Sequence, residues 1–239
     1  VSDLDEFDHY EVKKSLGSGT PEWTRKNFDG QAQTDTIYIT GNPVVSRWVG
    51  TAFAEFVEVW RDHFDPELGT VPAEAVTESA VRVRKEHPNK RLIVHYLQPH
   101  YPFIDDPELR FTTFEGTDEF DVSGVQSGAS DIWEAVGLGL VKPKEAYAGY
   151  RRNLEYVLDA IDPLLESSSG KVVITSDHGN AIGERARPIP MKLYGHPTSI
   201  HHPVLRDVPW AKIRAEGDRK QHQDLDEGVE DKLRQLGYV

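Results

Sequence analysis

Three short apolar runs stand out in a polar chain, and their spacing predicts the fold. Residues 35–40 (Asp35-Thr36-Ile37-Tyr38-Ile39-Thr40), 91–97 (Arg91-Leu92-Ile93-Val94-His95-Tyr96-Leu97) and 172–174 (Val172-Val173-Ile174) each have strand length and end in turn residues. The last run has no polar alternation, which suits a strand covered on both faces. Between the runs the period lengthens. Phe53, Phe56, Val57 and Trp60 recur at helical spacing, as do Ala75, Val76, Ala80 and Val83. A third helix is expected over about 144–166, with Tyr147, Tyr150, Leu154, Val157, Leu158 and Ile161 on its apolar side, ended by Ser167-Ser168-Ser169-Gly170. Each helix precedes a strand, so the pattern predicts an α/β fold with right-handed crossovers in a parallel sheet.

Two regions fall outside that rhythm. Residues 1–34 are polar and mixed, broken at Gly17-Ser18-Gly19-Thr20-Pro21, and are expected to form an arm packed through Trp23 and Phe28. Residues 104–143 lack clear periodicity and are acidic, with Phe111, Phe114, Phe120, Ile132 and Trp133 as anchors. A long insertion near the carboxyl ends of strands suits a lid or substrate wall. The remainder, 35–239, is expected to form one domain.

Composition narrows the function classes. Lys and Arg total 27 against 40 Asp and Glu, a net charge of −13, which opposes nonspecific binding to nucleic acid or anionic membranes and suits a high-salt cytoplasm. There is no cysteine, hence no disulfide, thiolate metal site or cysteine nucleophile. No stretch resembles a membrane span or a secretory signal, so a soluble cytoplasmic protein without stable membrane insertion is expected.

The candidate chemistry begins where the third strand ends. Asp177-His178-Gly179 follows the apolar run directly, at the strand end where open α/β sheets place their sites. A carboxylate beside an imidazole suits Zn²⁺, Mn²⁺ or a related ion. The same three residues also suit a plain turn, with Asp177 capping and Gly179 at positive φ. His100 sits in the proline-rich loop after the second strand, Gln98-Pro99-His100-Tyr101-Pro102. His95 lies inside that strand and reads as a core residue or a support for a site. His201 and His202 are adjacent, so at most one of them faces the site.

The order Ser176-Asp177-His178-Gly179, Gly183-Glu184, Tyr194-Gly195-His196 and Val208-Pro209 resembles the late part of the alkaline phosphatase superfamily, particularly its sulfatase and phosphoethanolamine-transferase branches. The His100 loop and the Leu236-Gly237-Tyr238 ending, preceded by a short helix with Val229, Leu233 and Leu236 on one stripe, are similar too. The resemblance implies a three-layer α/β/α sandwich with a mostly parallel sheet. It also implies a divalent metal ion (Zn, Mn, Mg or Ca) held by Asp177 and His178, and hydrolysis or transfer of a phosphate or sulfate ester. The substrate would be a small-molecule or a glycan- or lipid-linked anionic ester. His100 and His196 would steady the ester oxygens or the leaving group. Two departures stand beside it. The first strand ends Ile39-Thr40-Gly41-Asn42, placing Asn42, a neutral and weaker ligand, where the superfamily has an acidic one. The Cys/Ser-x-Pro-x-Arg signature of formylglycine is absent, and the best candidate nucleophile is Thr70, expected near a helix start, although Thr70-Val71-Pro72 with Glu74 equally suits a plain helix N-cap region. A noncatalytic relative that keeps the fold for anion binding is the alternative.

Overall fold

The computed structural model describes residues 8–49, 53–111, 129–188 and 190–214. In chain order the elements are β1 (His9–Lys14), α1 (Thr20–Phe28), β2 (Gln33–Thr40), α2 (Pro43–Trp48), β3 (Phe53–Glu58), α3 (Trp60–His63), α4 (Ala73–Glu86) and β4 (Arg91–His95). They continue with α5 (Ile132–Leu138), α6 (Pro143–Ala160), α7 (Asp162–Ser167), β5 (Lys171–Thr175), β6 (Ala181–Arg185), β7 (Lys192–Gly195), α8 (Pro203–Arg206) and β8 (Asp207–Arg214). The expected terminal helix with Val229, Leu233 and Leu236, and the acidic stretch 112–128, lie outside the described residues.

The architecture is mixed α/β, built around an open parallel sheet in the order β3-β2-β4. Its central strand shows why. Along β2, Tyr38 points to one face and Ile37 and Ile39 to the other, and all three are at most 1% exposed. Tyr38 packs among Phe28 of α1, Val45 of α2, and Phe53 and Phe56 of β3. Ile37 and Ile39 pack against Val76, Ala80 and Val83, spaced i, i+4 and i+7 on α4. An apolar strand with helices on both sides is the local result.

The rest of the sheet expectation needs correction. β5 does not join β2 and β4; it pairs antiparallel with β8, which pairs antiparallel with β1. Val172, Val173 and Ile174 of β5 are only half-buried. The segment from His9 onward is therefore an edge strand bonded along its length from His9↔Lys212 to Lys14↔Asp207.

Phe53, Phe56 and Val57 belong to a strand, not to the expected helix. Phe56 meets Tyr38 on one face, while Val57 faces the cluster of Ile37, Ile39 and Val76 on the other. The register slips between Gln33 and Ile37, and both Phe53 and Phe56 come to lie against Tyr38, at 5.1 and 5.4 Å between ring centroids. A bulge thus gives strand residues an i, i+3 neighbourhood that reads as helical.

The expected helix at 144–166 is two helices meeting at Ile161, because Pro163 in the first turn of α7 offers no N–H to continue the ladder. In the region without clear periodicity, α5 is nonetheless well specified. Asp131 caps it by accepting from the N–H groups of Trp133 and Glu134, and Gly139 closes it at φ 79°. Its Ile132, Trp133, Ala135 and Val136 join Phe103 and Phe111 in a second core, against which α6 packs through Ala146.

Gly149 of α6 marks the tightest point of that packing, because a Cβ there would stand 2.3 Å from Phe103 Cδ2 and 3.0 Å from its Cγ. Helix propensity alone would make Gly149→Ala stabilising by about 1 kcal/mol. Overpacking costs about 1–3 kcal/mol and often more against a ring that cannot move away. The variant is expected to be less stable than wild type, measured as a lower denaturant midpoint with unchanged m; a raised midpoint would show that Phe103 yields freely.

Candidate functional site

The site lies where β2, β4 and β5 end. Thr40 pairs with His95 at the carboxyl ends of β2 and β4, and Gly41 N–H donates to the His95 carbonyl at 3.0 Å. The loop after β5 delivers Asp177 and His178, whose side chains are 15% and 10% exposed. Gly179 follows for a reason other than the expected positive φ. A Cβ on it would sit 2.0 Å from the Val204 carbonyl oxygen, and its N–H donates to the Leu205 carbonyl at 2.8 Å. Only a glycine lets the Asp-His loop lie this close to α8.

Asp177 is the centre of the arrangement. Thr20 Oγ1 donates to Asp177 Oδ2 at 2.6 Å, and the His178 N–H donates to Oδ1 at 2.9 Å. The imidazoles of His178 and His95 stand 3.5 and 3.9 Å from Oδ2. Burial pushes the carboxyl's pKa up, but His178, His95, the Thr20 hydroxyl and the His178 N–H outweigh it and hold the group below its ordinary value. Its charge is felt on both sides. Tyr38 is pushed well above the usual phenol range, and Tyr150 to about 12, by burial first and by Asp177 second. His95 Nδ1 is 2.7 Å from Tyr38 Oη and its ring meets Trp23 edge-on, so it supports the site from within the sheet.

Two more imidazole contacts complete the cluster. His100 Nε2 and His196 Nε2 are 3.2 Å apart, and the rings of His178 and His196 lie 4.6 Å apart between centroids. The hydrogen-bond partners assign the tautomers. His100 donates from Nδ1 to the Tyr101 carbonyl at 2.5 Å, and His178 from Nδ1 to the Gly179 carbonyl at 2.8 Å. His196 is bonded to its own backbone. In neutral form the His100 and His178 rings keep their lone pair on Nε2, a tautomer typical of metal-binding histidines. His100 is driven down to about 4 by burial, and His196 to about 3 by burial and by the neighbouring His100 and His178.

The structure thus brings together Asp177, His178, His100 and His196. Among the described residues, no hydrogen bond, ion pair or ring contact joins these four to the other two expected site residues. Asn42 caps α2, its Oδ1 accepting from the Val44 N–H at 2.9 Å. Thr70 is bridged to Asp65, two residues before the Pro72 cap of α4, and its hydroxyl is buried without a hydrogen-bond partner among the described residues. His202 accepts the Val204 N–H as the cap of α8, and His201 is exposed.

Thr20 is the residue the sequence did not single out. It opens α1 with Pro21 behind it, 7% exposed, and its Oγ1 is 3.3 Å from His178 Nε2 as well as bonded to Asp177. The signal was the one that drew attention to Thr70, a threonine just ahead of a proline at a helix start. Pattern alone does not separate the two. Thr20 is brought in because β1 lies on β8, which ties Ser15 to Arg206 through two hydrogen bonds, while Ser15 Oγ donates to the Asp177 carbonyl.

A cavity of about 430 Å³ is lined by Lys144, Tyr147 and Tyr150 of α6 and by Asn180, Ile182 and Glu184, and none of the cluster's side chains lines it. Among the described residues, no group of three or more His, Cys, Asp or Glu side chains stands close enough to hold a metal ion as placed. No protein-family model, curated protein or solved structure matches the chain. Fold and site define a mixed α/β protein with a buried Thr-Asp-His cluster at its strand ends.

The two depressed histidines fix a pH dependence. Their folded values lie below the ordinary imidazole value, so the unfolded chain binds more protons below about 6.5. The stability they carry is complete above that pH and is lost as pH falls towards about 4 and then 3. For chelator-treated protein, a loss on the order of 1–3 kcal/mol is expected across this window. A His100→Asn/His196→Asn variant should flatten that limb of the stability curve. An equally steep limb in the variant would place the titrating groups elsewhere.

Proposed function

We propose that the protein is a metal-dependent hydrolase or transferase acting on a phosphate or sulfate ester, with an alkaline phosphatase-like α/β/α sandwich. Helix packing on both faces of β2 supports the layer arrangement. The observation that carries the functional reading is the hydroxyl of Thr20 held at a helix start between Asp177 and His178.

The donor chemistry fits a divalent cation. Nitrogens 3.2 Å apart on His100 and His196, and a nitrogen and a carboxylate oxygen 3.5 Å apart on His178 and Asp177, have pairwise spacings near the ligand–ligand edge of a tetrahedral zinc site, about 3.3 Å, while among the described residues no three of these side chains converge on one ion as placed. Asp177, His178, His100 and His196 would hold the ion. When bound, it supplies Lewis acidity towards the ester oxygens and lowers the pKa of a nearby hydroxyl. His100 and His196 then serve differently from the expectation, since a lone pair accepts and cannot donate to an anionic oxygen unless the ring is protonated.

The chain's own steps follow from the hydrogen bonds. Thr20 presents its oxygen to the ester and its proton to Asp177 Oδ2. A bond from Thr20 oxygen to phosphorus or sulfur forms as the leaving oxygen departs with its bonding pair and takes up the proton that Thr20 gave to Asp177, or one from water. Water then releases the group by hydrolysis, or a second alcohol takes it by transfer. No helix among the described residues is long and apolar enough to cross a membrane. The acidic surface argues against nucleic acid as a partner.

One observation favours the noncatalytic alternative. Asn42 spends its amide oxygen on the α2 cap, so no group from the end of β2 supplements Asp177.

The test is metal content of wild type beside Asp177→Ala/His178→Ala, with turnover of aryl phosphate and aryl sulfate in Zn²⁺, Mn²⁺, Mg²⁺ and Ca²⁺. Metal and turnover should both vanish in the double variant. Thr20→Val should lower kcat by about a hundredfold or more while Thr70→Val leaves it within about threefold. The reverse order would restore Thr70 as nucleophile. Retained metal with no turnover in wild type would favour the noncatalytic relative.

A further inference from the structure

We propose that Glu22 is the positioning residue of this site: its buried carboxylate locks the loop ending in Thr20 to the loop that follows His196. The functional consequence rests on the reading of the cluster as a reaction centre; the lock itself does not. Glu22 lies one turn into α1, is 7% exposed, and divides its two oxygens between separate tasks. Oε2 accepts from the Ser18 N–H at 2.9 Å, the Ser18 hydroxyl at 3.1 Å and the Ser199 N–H at 3.4 Å. Oε1 accepts from Lys26 Nζ at 2.5 Å, and Lys26 also donates to the Leu16 carbonyl at 3.0 Å.

Both loops are shaped for this contact. Ser18 Oγ lies 3.0 Å from the Pro197 carbonyl oxygen, and a Cβ on Gly19 would stand 3.3 Å from Thr198 Cγ2 and 3.5 Å from the His196 carbonyl oxygen. Ser199 is held at φ 64°, the one positive φ outside glycine among the described residues. A side chain rarely keeps that conformation unless its surroundings impose it, and here the Ser199 N–H is turned onto Glu22. Burial pushes the carboxyl's pKa up, but Lys26 and Ser18 outweigh it and hold it at about 2, so Glu22 stays ionised at any working pH. The geometry calls for a carboxylate. Glutamine would turn its NH₂ towards either the ammonium or the N–H groups, and aspartate is one methylene short.

The test uses the full chain treated with chelator, as wild type, Glu22→Ala and Glu22→Gln. Long-range imidazole ¹⁵N–¹H correlations and the Thr20 methyl signal are read by NMR. In Glu22→Ala the His196 and Thr20 signals should move while those of His95, anchored in β4, stay. Glu22→Gln should show the same pattern at smaller amplitude. Unchanged His196 and Thr20 signals would overturn the proposal, as would a shift of His95 as large as theirs, which signals general loosening. If Glu22→Ala does not fold, Glu22→Gln is judged by the same criterion. With an ester substrate in hand, kcat should fall about 10–100-fold with KM within about threefold, the mark of lost alignment. If wild type turns over no ester, the ester reading fails and the NMR comparison decides the lock alone.

Discussion

A negative charge kept away from bulk water at Asp177 is the constraint around which the structure is arranged. A buried carboxylate is tolerated only where donors or cations compensate it. The Thr20 hydroxyl, the His178 N–H and the His95 and His178 rings supply that compensation from three separate stretches of chain. The same arrangement gives the hydroxyl a carboxylate as its proton acceptor and lies beside His100 and His196, whose pKa values are held below the ordinary imidazole value. Compensation and reactivity are therefore one set of contacts, which is why a site of this type reads at once as structural and chemical.

Much of the frame was legible in the sequence. The strands around Ile37, Ile93 and Val173 and the helix around Val76 and Ala80 were found from apolar period alone, because each buries one regular stripe or one continuous run. Asp177 and His178 were picked out because they follow a strand directly, and His100 because it sits in a proline-rich loop after one; His196, which lies against His100 and His178, was picked out only by the order of motifs that carries the resemblance. Phe53, Phe56 and Val57 misled because a register slip in the neighbouring strand alters which residues share a face, and such slips leave no mark in the slipped strand itself. Asn42 shows a different limit. Its type suited both a ligand and a cap, and the presence of Pro43 and a short helix after it was the better guide.

Thr20 and Glu22 were illegible for another reason. Their importance depends on a strand pairing that joins the first described residues to the last, and nothing local in Gly17-Ser18-Gly19-Thr20-Pro21 announces a distant partner. The antiparallel placement of β5 was hidden in the same way, since a half-buried apolar run is compatible with either direction of pairing.

That pairing orders events during synthesis. Thr20 and Asp177 are 157 positions apart, and among the described residues β1 finds its strand partner in β8 alone. On the ribosome, β1 emerges early and stays an unpaired edge until residues 207–214 follow, the kind of exposed edge that chaperones shield and other chains can capture. A chain cut short before β8 would hold the parallel sheet of β2, β3 and β4 without the strand that carries Thr20 to the site. The reaction centre is in this sense a late product of folding, withheld until nearly all the described chain has been made.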